Sequence, residues 1–147
     1  MTRLFGLCLF LFMLIGTGKA VMAQVHHDPI ERSWYNDDKT AKIQIYKEKD
    51  GTFDGKIVWL KVTHRNGKPK IDEQNPDPAK KGQPIMGLVI LEGFKKDGKN
   101  EYKGGTIYDP VSGKTYSCKM ERSGNKLDVR GYVGVSLFGK TTTFYAE

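Results

Sequence analysis

Two groups of side chains in this chain carry chemistry that could hold a ligand. The first lies on and beside a proline-stiffened stretch: Trp59, Asp72, Asn75, Asp77, Gln83 and Met86. An indole and a thioether with a few carboxylates and amides is the mix of apolar contact and directed polar groups that a small-molecule site uses. Asn75 and Asp77 have a second reading. Each precedes a proline, where its side chain bonds to its own backbone and shapes a turn. The second group is Tyr108, Arg130 and Tyr132. Arg130 and Tyr132 fall on one side of a single alternating run. Facing a cavity, Arg130 would meet a carboxylate or phosphate. Leu127, Val129, Gly131 and Val133 read as the inward set of that run, which turns Arg130 outward to solvent or to an outer acid.

A third candidate depends on processing. Arg3 followed by the apolar run Leu4 to Ile15 has the form of a secretory signal, too short to span a bilayer comfortably. Val21-Met22-Ala23 supplies a small-x-small cleavage pattern, so residues 1–23 are expected to be removed and the protein to be periplasmic or secreted. Cleavage after Ala23 would expose Gln24, Val25 and His26. A free amine, two amides and a third-position imidazole can wrap Cu(II) or Ni(II) in square-planar nitrogen. A shifted cleavage, or cyclisation of Gln24, removes that site. No other cofactor is expected.

Signatures of catalysis are absent. Gly134-Val135-Ser136-Leu137-Phe138 lacks the second flanking glycine of a nucleophile elbow. Outside the N-terminal tail His64 is the sole histidine, and Asp72, Glu73 and Asp77 do not follow the calcium-loop pattern. The chain is not expected to be an enzyme. With 24 Lys and Arg against 17 Asp and Glu it is basic, and losing Arg3 and Lys19 leaves it so. The lysines are scattered, with no basic helix, finger or arm. Nucleic acid is therefore not an expected partner, whereas peripheral contact with envelope lipid or polysaccharide is. Only Cys118 survives processing, so no internal disulfide is available. It lies in phase with Tyr116 and Met120 and is read as a core hydrophobe.

The elements that must position these residues are strands. Lys39 to Tyr46 alternates, with Ala41, Ile43 and Ile45 on one face. Phe53 to Leu60 returns after Asp50-Gly51 with Phe53, Gly55, Ile57 and Trp59 on one face. Gly87 to Phe94, Glu101 to Tyr108, Thr115 to Arg122, Lys126 to Val133 and Thr141 to Tyr145 follow, and a short strand forms around Trp34. Gly104-Gly105 predicts a bulge or a sharp bend. Val25 to Glu31 reads as a loose lead-in. Lys61 to Pro84 reads as one long loop around Asn75-Pro76-Asp77-Pro78, with a helical turn ending at Gly82. Residues 24–147 are thus expected to form one all-β domain, an eight-stranded antiparallel barrel whose interior takes side chains or one small ligand.

The runs Asn75-Pro76-Asp77-Pro78, Gly87-Leu88-Val89-Ile90-Leu91 and Gly104-Gly105-Thr106-Ile107-Tyr108-Asp109-Pro110 resemble one exported bacterial family, domain of unknown function 2147. Ser112 to Cys118, Val129-Arg130-Gly131-Tyr132 and Phe138-Gly139-Lys140-Thr141 extend the resemblance over the chain from Trp34 onward. It implies a small lipocalin-like (calycin-type) barrel and no established activity. The chain departs from the lipocalin pattern in two places. Arg32-Ser33 stands where a Gly-x precedes the first-strand Trp, and no closing arginine follows Phe144-Tyr145.

The expected function is non-catalytic binding of a small apolar, amphipathic or anionic ligand, or of an envelope component, at the barrel end beside the long loop. The alternative is an envelope interaction or stress-response module that uses its outer surface around a solid barrel. The oligomeric state is open.

Overall fold

Period-two alternation sends one side chain in and the next out. In residues 27–147, the part described by the computed structural model, it produces eight strands in one closed sheet. β1 (Ser33–Tyr35), β2 (Ala41–Lys47) and β3 (Phe53–Leu60) come first. β4 (His64–Arg65) and β5 (Lys68–Pro69) pair only with each other. β6 (Val89–Asp97), β7 (Glu101–Asp109), β8 (Lys114–Ser123), β9 (Lys126–Tyr132) and β10 (Lys140–Ala146) complete the wall. The order is β1-β10-β9-β8-β7-β6-β3-β2. It is a meander whose first and last strands meet, with Trp34 opposite Ala146 and Tyr35 opposite Tyr145. Closure leaves the barrel no free edge.

Antiparallel order gives the barrel two unlike ends. One carries the short turns after β2, β6 and β8. The other, the mouth, carries the 36–40 turn, the 61–88 connection, the 110–113 turn and the 133–139 loop with its 3-10 turn Ser136–Phe138. Toward the short-turn end the interior is solid. Trp34, Ile43, Phe94, Tyr102, Met120 and Leu127 are among its buried side chains, and Cys118 is buried with them as expected.

Residues 27–31 are not a loose lead-in. Ile30 is fully buried and its carbonyl accepts from Trp34 Nε1 at 3.0 Å. Asp28 accepts from the Tyr102 hydroxyl and from Lys96 Nζ, so this segment plugs the short-turn end. Arg32 lies with its guanidinium 5.8 Å from the Trp34 ring centroid. A cation thus covers the first-strand Trp from two residues away rather than from the end of the barrel.

The glycine pair behaves as its type predicts. Gly104 has φ +76°, and the β7·β8 register shifts between Tyr102 and Gly105. A Cβ on Gly105 would come within 2.5 Å of the Phe94 ring, so the glycine is what lets Phe94 fill the core there. A second irregularity redirects a predicted site residue. Lys42 pairs with Trp59 but Ile43 pairs with Ile57. Val58 is therefore an extra residue in β3, and Trp59 turns to the outer face. There it meets Tyr35 edge-on at 6.0 Å, half-exposed, instead of joining Phe53, Gly55 and Ile57 inside.

The connection after β3 is more ordered than a plain loop. Asn66 (φ +52°) and Gly67 (φ +75°) turn β4 into β5, the two left-handed residues of a tight hairpin turn. Ile71 bridges Pro84, and the Lys81 amide donates to the Asp77 carbonyl in the single helical turn before Gly82 (φ +84°).

Candidate functional site

The packed layer does not reach the mouth. Above it the interior opens into a cavity of about 650 Å³. Its walls come from the mouth-side halves of five strands, through residues such as Ile90, Ile107, Tyr116, Val129, Gly131 and Thr142. Gly131 lets the wall close up beside it: a Cβ there would sit 3.3 Å from Ile107 Cγ2 and 3.6 Å from Tyr116 Cβ. Ile90 and the core residue Leu91 both reach inward although adjacent, since the β3·β6 register shifts between Gly55 and Lys56. At the rim stand Tyr108, Asp109, Tyr132, Phe138 and Lys140.

Asp72 and Asn75, from the first predicted group, are brought together with Tyr108 from the second. The Tyr108 hydroxyl donates to the Asp72 carboxylate, 2.8 Å from each oxygen, and Asn75 Nδ2 donates to it at 2.8 Å. Asp72 is fully buried, and its backbone amide donates to the Gln83 carbonyl. This network fastens the 61–88 connection to β7 at the rim. Tyr108 is the member that also lines the cavity. Burial, then the hydrogen bond to Asp72 and its charge, pushes the Tyr108 hydroxyl up to about 12.

The remaining predicted residues fall elsewhere. Asn75 Oδ1 accepts from the Asp77 amide and Asp77 Oδ1 from the Ala79 amide, so both shape turns. Gln83 and Met86 are exposed on the connection, and neither they nor Trp59 line the cavity. Arg130 lies on the outer face. Its Nε donates to the Ser136 carbonyl at 2.6 Å, Nη2 to the Leu137 carbonyl at 3.0 Å and Nη1 to Thr141 Oγ1 at 2.8 Å. It holds the 133–139 loop, and its partners are carbonyls and a hydroxyl rather than an acid. Tyr132 borders the cavity, and its Cβ, with Arg130 Cγ, crowds Gly139, where an added Cβ would meet them at 2.9 and 3.2 Å. Gln24, Val25 and His26, and the signal segment, lie outside the described residues. Among the described residues no cluster of His, Cys, Asp and Glu has metal-binding geometry.

Inspection of residue types overlooked Ile107, Tyr116, Val129, Thr142 and Lys140. The signal available was their position: each is the inward residue of its strand, on the mouth side of the packed layer.

A family model described as "Uncharacterized protein conserved in bacteria (DUF2147)" matches residues 33–145. No curated protein matches the chain. Among solved structures, a Helicobacter pylori protein, HP1028, described as belonging to the lipocalin family, superposes with a TM-score of 0.69 at 24% identity. The match covers 80% of this chain and 82% of that one, and what it shows is a shared fold.

Proposed function

The chain belongs to the bacterial DUF2147 family, and from that premise we propose that its barrel is an exported, non-catalytic binding protein for a small amphipathic molecule. The cavity at the mouth carries the reading. It is large enough for a small ligand, walled by aliphatic and aromatic side chains, and closed below by the packed layer. The polar groups stand at the rim, where Lys140 and Tyr108 could meet a carboxylate or hydroxyl while the apolar part lies inside. A solid barrel acting only as a scaffold is disfavoured by the same space. The leader-like start, Arg3 followed by Leu4 to Ile15, supports a periplasmic or secreted setting.

The test is titration with a fluorescent fatty-acid probe. Thr142 is exposed on the cavity wall, so Thr142→Trp fills the space without entering the packed layer. Saturable binding by the parent protein and a loss of about tenfold or more in the variant are expected, from lost apolar burial. A parent protein that takes up no probe, or a variant that binds as well, ends the carrier reading.

A further inference from the structure

We infer that the mouth of the barrel docks end-on against an anionic phospholipid bilayer, with the 110–113 turn and the 133–139 loop entering the headgroup layer. This concerns a surface rather than the cavity and does not depend on the ligand reading. Among the described residues, every large apolar side chain that stays exposed lies at this end: Trp59, Val62, Ile71 and Met86 on or before the connection, Val111 on the 110–113 turn, and Val133, Val135, Leu137 and Phe138 on the loop. Among the described residues the opposite end has none. Val111, Leu137 and Phe138 are each about four-fifths exposed (84%, 78% and 81%), on loops that flank the cavity opening. A soluble surface rarely gathers its apolar exposure in one place without something to bury it.

Charge identifies the occupant. The connection at the same end presents exposed Lys61, Arg65, Lys68, Lys80 and Lys81 against the exposed acids Glu73 and Asp77, and the 36–40 turn adds exposed Asp37 and Asp38 with Lys39, so cations remain in excess. None of the connection's five cations joins an ion pair among the described residues. An apolar tip beside an uncompensated cationic face complements a bilayer that carries negative headgroups, where each basic residue near the surface adds attraction. The 133–139 loop is held for this. Arg130 satisfies the carbonyls of Ser136 and Leu137 from the barrel side, so the turn's backbone is tied down while its side chains point to solvent.

Vesicle co-sedimentation tests the inference, comparing pure phosphatidylcholine with mixtures rich in phosphatidylglycerol. Parent and variants carry the same N-terminus, so any contribution from it cancels. Val111 and Leu137 do not line the cavity, and Val111→Ser with Leu137→Ser should retain probe binding while losing about tenfold in vesicle affinity. Lys80→Glu with Lys81→Glu should weaken binding to anionic vesicles alone, and raising salt above about 0.1 M should do the same. Absence of binding to anionic vesicles, or binding that survives V111S/L137S, overturns the inference. So does a dimer that V111S/L137S dissociates, since the patch would then belong to a second copy of the chain.

Discussion

Tyr108 and Asp72 stand 36 positions apart in the chain, yet the hydroxyl of one lies 2.8 Å from both carboxylate oxygens of the other. A fully buried carboxylate in an irregular connection would be costly without such a donor. The pair therefore decides where the connection sits. It draws residues 72–75 against the end of β7, next to the cavity opening, and leaves the exposed cations of the connection facing outward.

Removing the phenol hydroxyl leaves Asp72 buried with Asn75 as its remaining side-chain donor. Tyr108→Phe is expected to cost about 1–3 kcal/mol in urea unfolding. The pH dependence has a definite sign. The folded state holds Tyr108 protonated up to about 12, whereas an unperturbed tyrosine ionises near 10. The stability gained from the protonated hydroxyl is complete below about pH 10 and drains as pH rises through about 12. A difference titration of tyrosinate absorbance, parent minus Y108F, should show one group ionising near the upper value. A difference curve centred near 10 would mean that the contact with Asp72 does not form.

Gly113 secures the connection from the other side. It has φ +70°, and a Cβ there would come 2.0 Å from the Gln74 carbonyl oxygen. Gly124 has a similar φ of +60° but nothing within 4 Å, so it reports the left-handed cost alone. Gly113→Ala is expected to destabilise by about 2–3 kcal/mol, at least about 1 kcal/mol beyond Gly124→Ala. The excess should appear with faster proteolysis between residues 61 and 84. Equal losses in the two variants would show that the turn does not press on Gln74.

The strands were legible because alternation is a local property. Ile43 and Ile45, Cys118 and Met120, Leu127 and Val129 face inward as read, and the barrel follows from them. Trp59 was misplaced because a single extra residue in β3 reverses every face beyond it, and Val58 bears no mark of that role. The plug at Ile30 was invisible for a different reason: one apolar residue among charges has no period. The β4–β5 hairpin did have a signal, Asn66-Gly67, in a stretch whose sparse alternation concealed it. The cavity was legible only in part. Ile107, Tyr116 and Thr142 alternate as the core residues do, so their inward facing is readable, but whether the space between them is filled depends on side chains that only the closed barrel brings together.

At the plugged end the acid sensitivity belongs to Asp28. Burial raises its pKa, but the hydrogen bonds from Lys96, Tyr102 and the Ile30 amide outweigh that and hold the carboxyl below the usual aspartate value. A lowered folded pKa means that the stabilisation is present above the unfolded value, about 3.8, and is lost as pH falls through the folded one. Lys96 is more than a third exposed, so the ion pair itself is screened and contributes little. The Tyr102 bond is made by a buried ring and ties the 27–31 segment to β7. Asp28→Asn keeps an oxygen for Tyr102 and discards the charge. It should therefore lower neutral-pH stability by about 1 kcal/mol and flatten the loss of stability below about pH 4. Asp28→Ala removes both and should also free the segment, so that the Trp34 indole, now held to the Ile30 carbonyl, becomes accessible to a fluorescence quencher. If D28A quenches no more readily than the parent, Ile30 alone holds the plug and the carboxylate only follows it.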